Sequence, residues 1–251
     1  MSYILPEGVK CVAINPQHPE TLKLFDLFYH DVYVKAFPNK DECESYENLL
    51  SYIEGYRTNE LFVRVFVFHN DIDIVGGIII DYFDVIETLA IEFIVVSSKY
   101  QRQGLAKKII EYIKEYLKSQ YQKSVEWIII EIENPKFVTS KNFSYLHFWI
   151  NYGMRAIDFT YIQPALSPSQ KPVDILMLCA CHTSHDIKSV SKDHIKNFLT
   201  LYAHHAMGID EPLQDPSVQQ MFDELEGIDK ESLGLVDLTT LLNQIEIGDE
   251  V

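Results

Sequence analysis

The segment 89–113 constrains the fold more than any other part of the chain. An apolar, strand-like run is followed by a short polar turn, and helical spacing of apolar residues begins at Gly104. A helix that starts directly after such a turn leaves its first backbone N–H groups without intrahelical partners, so they can hold an anion. Gly104 and the small Ala106 permit close approach of that anion, and Arg102 and Lys107 add positive charge. The segment therefore predicts a strand–turn–helix unit with an anion site at the turn.

The spacing of apolar residues changes repeatedly along the chain and predicts both strands and helices. The predicted strands are 10–15, 61–69, 72–82, 89–96, 127–133, 154–162 and 173–181, and the predicted helices are 22–36, 45–56, 104–118 and 143–152. The resulting order, β-α-α-β-β-β-α-β-α-β-β, has a meander of strands in its middle. This order predicts a mixed α/β fold rather than a doubly wound parallel sheet.

After residue 183 the pattern predicts helices alone, at 193–207, after Asp215-Pro216 and at 236–247. This part is also acidic, because residues 209–251 contain 12 acidic residues and one basic residue, whereas residues 1–208 contain 25 and 20. We therefore predict two domains, 1–183 and an acidic helical C-terminal extension, 184–251. The extension could complete the core, dock a partner or form a homodimer through its helices.

The composition argues against several classes of protein. A net charge of −16 disfavours binding to the phosphate backbone of nucleic acid, which needs a basic surface. The N-terminus lacks the pattern of a signal peptide, and no apolar stretch is long enough to cross a membrane. Four cysteines are too few and too irregular for a disulfide framework. We expect a soluble, cytoplasmic protein that has neither a nucleic-acid nor a membrane partner.

The hexapeptide QRQGLA at 101–106 fits the pattern Gln/Arg-x-x-Gly-x-Gly/Ala. In this the sequence resembles the GCN5-related N-acetyltransferase (GNAT) superfamily, whose members bind the pyrophosphate of coenzyme A with that pattern. A second feature, an Asn that begins a short helix ending in Gly and an apolar residue, is present from Asn142 to Gly153-Met154. The resemblance covers about residues 10–182. It implies a central, mixed and mostly antiparallel sheet of about seven strands flanked by helices, to which the helical extension is added.

The resemblance also implies acetyl coenzyme A as the cosubstrate, with no metal. The cosubstrate would lie in the splay between the strands 89–96 and 127–133, with its pyrophosphate on the turn and its pantetheine arm along the edge of the first strand. A backbone N–H near Ile94 or Val95 would polarise the thioester carbonyl. The residues implied in cosubstrate binding are Ile94, Val95, Val96, Gln101, Arg102, Gln103, Gly104, Leu105, Ala106, Lys107 and Asn142.

Direct attack by an amine in a ternary complex needs a base, because an ammonium group with a pKa of about 10.4 has no free lone pair. Glu92 lies in an apolar strand where many relatives carry their base, and burial would raise its pKa towards neutrality. Alternatively, Glu92 forms a structural ion pair. Glu131 and Glu133 share a face of the next strand and could act instead, or bind the cationic group of the substrate. Glu42 could also meet the acceptor, or belong to a solvated run of charges.

The general acid is where the sequence departs from the family pattern. Many members place a tyrosine four residues before the late glycine, but here that residue is Trp149, whose indole N–H is no acid near neutral pH. Tyr145, one turn earlier, could protonate the leaving thiolate or could simply pack in an aromatic helix, and solvent is a third possibility. The alternative function is an acyl-coenzyme A-binding regulatory or partner-docking protein with little turnover.

Two histidine-containing clusters could suggest other chemistry. Cys179 and Cys181 lie at strand period, with His182 and His185 close behind, and could bind zinc. We interpret the cysteines as two small buried residues, because no second pair of ligands has matching spacing. The His204-His205 pair lacks the spacing of a metalloprotease motif, which favours a surface or interface role.

Overall fold

The computed structural model of the protein describes residues 5–37, 44–55, 61–137, 144–165 and 170–248. The chain forms two compact units, residues 1–125 and residues 126–251. Unit one contains β1 (Lys10–Ala13), α1 (Pro19–Phe28), a π-helical turn (Tyr29–Tyr33), α2 (Val34–Ala36), α3 (Tyr46–Gly55), β2 (Leu61–His69), β3 (Ile74–Phe83), β4 (Thr88–Val96) and α4 (Leu105–Tyr121). Unit two contains β5 (Trp127–Glu133), α5 (Ser144–Tyr152), β6 (Arg155–Ile157), β7 (Leu176–His182), β8 (Ser189–Ser191), α6 (Lys192–His205), α7 (Pro216–Gly227), β9 (Ser232–Asp237) and α8 (Leu238–Gly248). Within the described ranges, no helix is long and apolar enough to cross a membrane.

The strands of unit one form an antiparallel meander in the order β1-β2-β3-β4, as the sequence predicts. Both faces of this sheet are covered, which explains why β3 is almost continuously apolar. One face packs on α1 and the other on α4. On the α4 face, the ring of Phe66 contacts that of Tyr116 and the ring of Phe68 contacts that of Tyr112, both edge to face. The α1 side is a cluster of buried residues that includes Phe25, Phe28, Tyr33, Val65, Val67, Ile79 and Val95.

Two adjacent glycines in β3 let other elements approach that strand closely. A Cβ atom on Gly77 would lie 2.4 Å from the ring of Phe28 in α1, and one on Gly76 would lie 2.5 Å from the carbonyl oxygen of Val95 in β4. Both separations are too short for real atoms. The Gly76-Gly77 pair is therefore required by packing on α1 and on the end of β4, and not by turn geometry.

The described residues of unit two form five strands in the order β5-β7-β6-β9-β8, and each described pairing is antiparallel. The α/β class and the antiparallel character are confirmed, but the described residues form nine strands instead of about seven. The expectation that strands end at residue 183 is wrong, because β8 and β9 follow it. These strands have three and six residues, which is too short for a clear alternation of apolar residues.

The C-terminal helices bury their apolar faces inside unit two. Asp215 caps α7 as predicted: its side chain accepts hydrogen bonds from the N–H groups of Ser217 and Val218, and Pro216 follows it directly. The buried residues of α6 and α7 include Ile195, Phe198, Leu199, Tyr202, Val218, Met221 and Leu225. These faces are thus occupied within the unit, so a homodimer through the C-terminal helices stays a prediction that would need another surface.

Some element boundaries differ from those predicted. The strand predicted at 154–162 extends only over Arg155–Ile157, after which a single β-bridge joins Gln163 to Val173. The first helix starts earlier than predicted, at Pro19, and widens into the π-helical turn that no periodicity indicated. Gly153 ends α5 as expected, with a left-handed φ of 100° and its N–H donated to Trp149 and Ile150 carbonyls.

Candidate functional site

The turn between β4 and α4 has the backbone conformation of an anion-binding loop. Arg102 and Gly104 both have positive φ angles, 60° and 71°, and Gly104 is the N-cap of α4. A Cβ on Gly104 would have no described atom within 4 Å, so glycine is needed here for its conformation and not for space. Because Gly104 has no side chain to cap the helix, the first N–H groups of α4 remain available to a ligand.

Side chains in and around the turn hold it in place. The Gln101 amide donates to the carbonyl oxygen of Val96 at 2.9 Å, so the first fixed position of the hexapeptide supports the turn. Tyr100 donates its hydroxyl proton to Asp73 at 2.7 Å and accepts a hydrogen bond from Asn70 at 2.9 Å. Lys99 lies 2.5 Å from the same Asp73 carboxylate. The hairpin between β2 and β3 therefore anchors the turn.

The positive charge of the turn comes from fewer residues than the sequence suggests. The ion pair with Lys99 lowers the pKa of Asp73 and compensates the lysine charge. The side chains of Arg102, Lys107 and Lys108 are exposed around the start of α4. Gln103 is exposed as well, whereas Leu105 is buried and Ala106 half-buried. The hexapeptide thus combines residues that fix α4 in the core with residues that are exposed around the start of that helix.

A β-bulge places the predicted base. Ile79 of β3 lies opposite Phe93 of β4. The next pair joins Ile80 to Ile91, so Glu92 is the additional residue of the bulge. Glu92 is half-buried, and its Oε1 atom is buried. A bulge breaks the regular alternation of side chains and is common beside active sites. The following residues Ile94, Val95 and Val96 pair in regular register with β3.

A second carboxylate in the same part of the sheet was missed by sequence reasoning. Asp81 of β3 lies opposite Ala90 of β4 and is only 3% exposed. Burial raises the pKa of Asp81 from 3.8 to about 7. In the sequence Asp81 only interrupts an apolar run, and nothing local reveals that its side chain is buried. The signal that could have found it is its position opposite the strand that carries Glu92.

Aromatic rings pack next to the bulge. The ring of Phe93 lies 5.1 Å from that of Tyr33 and 5.2 Å from that of Phe37, edge to face in both cases. Tyr33 is fully buried and belongs to the π-helical turn, a rare backbone form that is frequent at functional sites. Tyr29 stacks on Tyr33 and donates to the carbonyl oxygen of Glu44 at 3.0 Å. The bulge therefore borders a wall of aromatic rings within unit one.

Glu131, in unit two, is bound by three donors. Its carboxylate accepts hydrogen bonds from the hydroxyls of Tyr161 and Tyr202 and from the amide of Gln163, the last two at 3.1 Å. Burial raises the pKa of Glu131, while these three donors lower it. Tyr202 belongs to α6, so this carboxylate ties β5 to the C-terminal segment. Three donors leave it little capacity to bind a substrate cation.

Tyr145 and Glu133 also lie in unit two. The Tyr145 hydroxyl donates to the backbone carbonyl of Glu133 at 3.4 Å. Burial, with Glu133 and Cys179 nearby, raises the pKa of Tyr145 to about 12. Trp149 is buried in α5. Two further predicted site residues, Asn142 and Glu42, lie outside the described residues.

The histidine and cysteine clusters make packing contacts. Burial raises the pKa of the Cys179 thiol, which is fully buried. The His182 ring contacts Trp127 edge to face and stacks on His185. Among the residues that the structure describes, no group of three or more histidine, cysteine or acidic side chains could hold a metal ion.

Comparison with known protein families identifies the class of this domain. Residues 26–137 match the model of the acetyltransferase (GNAT) family. The resemblance seen in the sequence is thus confirmed over these residues, which include β4, the turn and α4. The family supports acetyl transfer in general as the activity. No match was found among curated proteins.

Several solved structures are similar to this chain. A protein described as a GNAT-family acetyltransferase from Bacteroides thetaiotaomicron has a TM-score of 0.58 and 18% identity, covering 80% of this chain and 99% of its own. A GNAT acetyltransferase from Elizabethkingia anophelis with acetyl coenzyme A bound has a TM-score of 0.46 and 15% identity, covering 70% and 99%. The ribosomal-protein-S18-alanine N-acetyltransferase from Escherichia coli has a TM-score of 0.45 and 13% identity. This match covers 70% of this chain and 95% of that protein. The first likeness shows the fold alone.

Proposed function

We propose that the protein is an N-acetyltransferase that moves an acetyl group from acetyl coenzyme A to an amine, either on a small molecule or on a protein. The observation that carries the proposal is the turn before α4, where a left-handed Gly104 stands inside a hexapeptide that matches the family pattern. An acyl-coenzyme A-binding regulatory protein would need the same turn. The proposal that the acetyl group is transferred to an amine therefore depends on Glu92.

The residues of the turn fit the pyrophosphate of coenzyme A. The first N–H groups of α4 carry the positive end of the helix dipole, and Arg102 and Lys107 stand exposed beside them. An uncapped helix start with two cations is what a doubly charged group needs, since N–H donors and charge act on the same oxygens. Bound acetyl coenzyme A supplies the acetyl group as an activated thioester.

Glu92 acts as the base in this proposal. An ammonium group must lose a proton before its nitrogen can attack, and a partly desolvated carboxylate accepts that proton more readily than an exposed one. The bulge gives Glu92 a backbone position outside the regular pairing of β4, which allows its carboxylate to face the acceptor instead of packing in the sheet.

Tyr145 is a poor candidate for the acid. A thiol has a pKa of about 8.5. Burial raises the pKa of the Tyr145 hydroxyl to about 12, so proton transfer from this hydroxyl to the thiolate is unfavourable. The proposal therefore leaves the thiolate to be protonated by solvent. The raised pKa of Tyr145 and the presence of Trp149 in the place of the usual tyrosine favour a second candidate function, that of an acyl-coenzyme A-binding regulatory protein.

The test measures thiol release from acetyl coenzyme A with a panel of primary amines, alongside calorimetric binding of the cosubstrate. We expect Glu92→Gln to bind acetyl coenzyme A normally and to lose about 10²–10⁴-fold in kcat/KM, the usual contribution of a general base. Glu115→Gln, on an exposed position of α4, is the matched control. Binding without any transfer would support the regulatory function, and no binding at all would refute both.

A further inference from the structure

We propose that Asp81 is a second acidic residue of the acceptor site, which binds the ammonium group of a cationic acceptor together with Glu92 and receives one of its protons. This inference rests on the proposed function. It names the class of acceptor, a primary amine that arrives as a cation, and it adds a residue to the site.

The register of β3 and β4 places both carboxylates on one face of the sheet. Asp81 lies opposite Ala90, and side chains alternate along a strand, so Glu92 falls on the face of Ala90 and Asp81. Val95 packs on the α1 side of the sheet, and Phe93, two residues earlier, faces the same side. Asp81 lies two residues after Ile79, which also packs on the α1 side, so Asp81 and Phe93 share a face. Two consecutive residues on one face are what the bulge produces. Diagonal neighbours of this kind are about 7–8 Å apart, within reach of two carboxylates that share a small cation.

The surroundings of Asp81 differ from those of a structural carboxylate in the same protein. Glu131 is largely buried and accepts hydrogen bonds from three side chains. Asp81 is 97% buried, and desolvation is the one effect that shifts its pKa, with no lowering by a hydrogen-bond donor among the described residues. An uncompensated buried carboxylate is costly, and proteins retain such groups mainly where a ligand or a reaction uses them.

The elements packed against β3 offer Asp81 little compensation. Arg64 of β2 lies opposite Ile80 and therefore on the other face of the sheet. Glu92 is the charged group nearest to Asp81 in register. The ionisable side chains of these packed elements, β2, β4, α1 and the π-helical turn, are Arg64, His69, Glu92, Glu20, Lys23, Asp26, Tyr29, His30, Asp31 and Tyr33.

A pair of carboxylates suits the proton balance of the reaction. The nitrogen of an ammonium group gives up two protons in each turnover, one before it attacks and one after the new N–C bond forms. The C–S bond breaks with its electron pair on sulfur, so neither proton is consumed by the acyl group. Two carboxylates can accept one proton each and return them to solvent or to the thiolate. Before the amine binds, repulsion between the two like charges favours a state with one shared proton.

The experiment compares Asp81→Asn with Asp71→Asn, an exposed aspartate on the turn that precedes β3. With 1,5-diaminopentane or the best amine of the panel, we expect Asp81→Asn to lower kcat/KM at pH 7 by about tenfold or more and to remove one ionisation from its pH profile. Equal kinetics and equal pH profiles for the two variants, together with an inactive Glu92→Gln, would overturn the inference and leave the proposed function intact.

A second measurement needs no turnover. Carboxyl ¹³C chemical shifts of Asp81 and Glu92 are followed against pH, with 1,5-diaminopentane and with pentane-1,5-diol as its neutral counterpart. We expect the titrations to be coupled, so that Asp81→Asn lowers the apparent pKa of Glu92, and we expect the diamine but not the diol to shift both. Independent titrations that ignore the diamine would overturn the inference, even in a protein that transfers acetyl to none of the amines.

Discussion

Asp81 makes the stability of the protein depend on pH in a direction opposite to that of most carboxylates. Burial raises its pKa from 3.8 to about 7, so between these values the folded state binds a proton that the unfolded state has lost. The free energy of unfolding therefore falls as pH rises from about 4 to about 7. The variant Asp81→Asn does not have this loss. Its free energy of unfolding relative to that of the wild type should therefore be higher at pH 8 than at pH 4, by on the order of a few kcal/mol.

Urea unfolding of the wild type and Asp81→Asn at pH 4, 6 and 8 measures this difference, since titrating groups that do not interact with Asp81 cancel between the two proteins. A difference in unfolding free energy that does not change with pH would show that Asp81 titrates normally.

Gly104 gives a prediction about conformation. Gly104→Ala introduces no clash but must hold a φ of 71°, which costs a non-glycine residue about 1–2 kcal/mol. Gly8 has a similar φ of 78° and equally open surroundings, away from the turn. Both alanine variants should lose about the same stability, but only Gly104→Ala should weaken acetyl coenzyme A binding, by about tenfold, as measured by calorimetry. Equal affinities in the two variants would contradict a role of this backbone in binding.

The sequence predicts some of these residues and not others, for a physical reason. Gly104 and Arg102 could be found because a turn between a strand and a helix needs particular residue types at fixed positions. Glu92 stands out because a charge in an apolar strand is unusual. Asp81 stands out equally, but its role depends on strand register and on burial from both sides. Those properties arise from contacts between distant parts of the chain, which local patterns do not encode.

Arg155 joins three elements of unit two. Its guanidinium group lies 2.7 Å from Asp186 and 3.2 Å from Asp237, and it donates to the carbonyl oxygen of Ile187 at 3.3 Å. Lysine carries one charged nitrogen and cannot reach all three acceptors at once. Arg155→Lys should therefore lower the free energy of unfolding by about 1–2 kcal/mol. Denaturant unfolding measures this.

The control for that variant is Lys188→Ala, which removes an exposed ion pair with Asp186. Exposed pairs contribute about 0–1 kcal/mol, so the control should be nearly neutral. If Arg155→Lys is as mild as the control, the contacts of the guanidinium group do not hold β6 and β9 together.

The elements that the sequence predicts best are those with long, regular spacing. The strand 127–133 and the start of α4 were predicted within one residue, because each has several apolar positions at a single period. β8 and β9 are short, and β9 leads directly into α8, so its residues merge with the helical pattern that follows. The role of Tyr161 and Gln163 as donors to Glu131 follows from a strand that ends early, which no periodicity shows.

The uneven charge of the chain takes on a structural meaning in unit two. Most of the net charge of −16 belongs to residues 209–251, which the sequence alone presents as an acidic appendage. Yet Asp215 caps α7, Glu224 accepts the backbone N–H of Thr160, and Asp237 pairs with Arg155. Part of the acidity therefore attaches the C-terminal segment to the rest of its own unit.

The predicted domain boundary after residue 183 can be tested by truncation. A variant ending at residue 183 loses β9, the partner of β6, and also the Tyr202 hydroxyl that binds Glu131. It uncovers the apolar surface on which α6 and α7 pack. We expect this variant to be insoluble or to lose its cooperative thermal transition, whereas a control ending at residue 248 should behave as the full chain does. Circular dichroism and size-exclusion chromatography compare the three proteins. A monodisperse variant with the melting temperature of the full chain would instead establish residues 1–183 as an independent domain and leave the C-terminal segment free for a partner or a second copy.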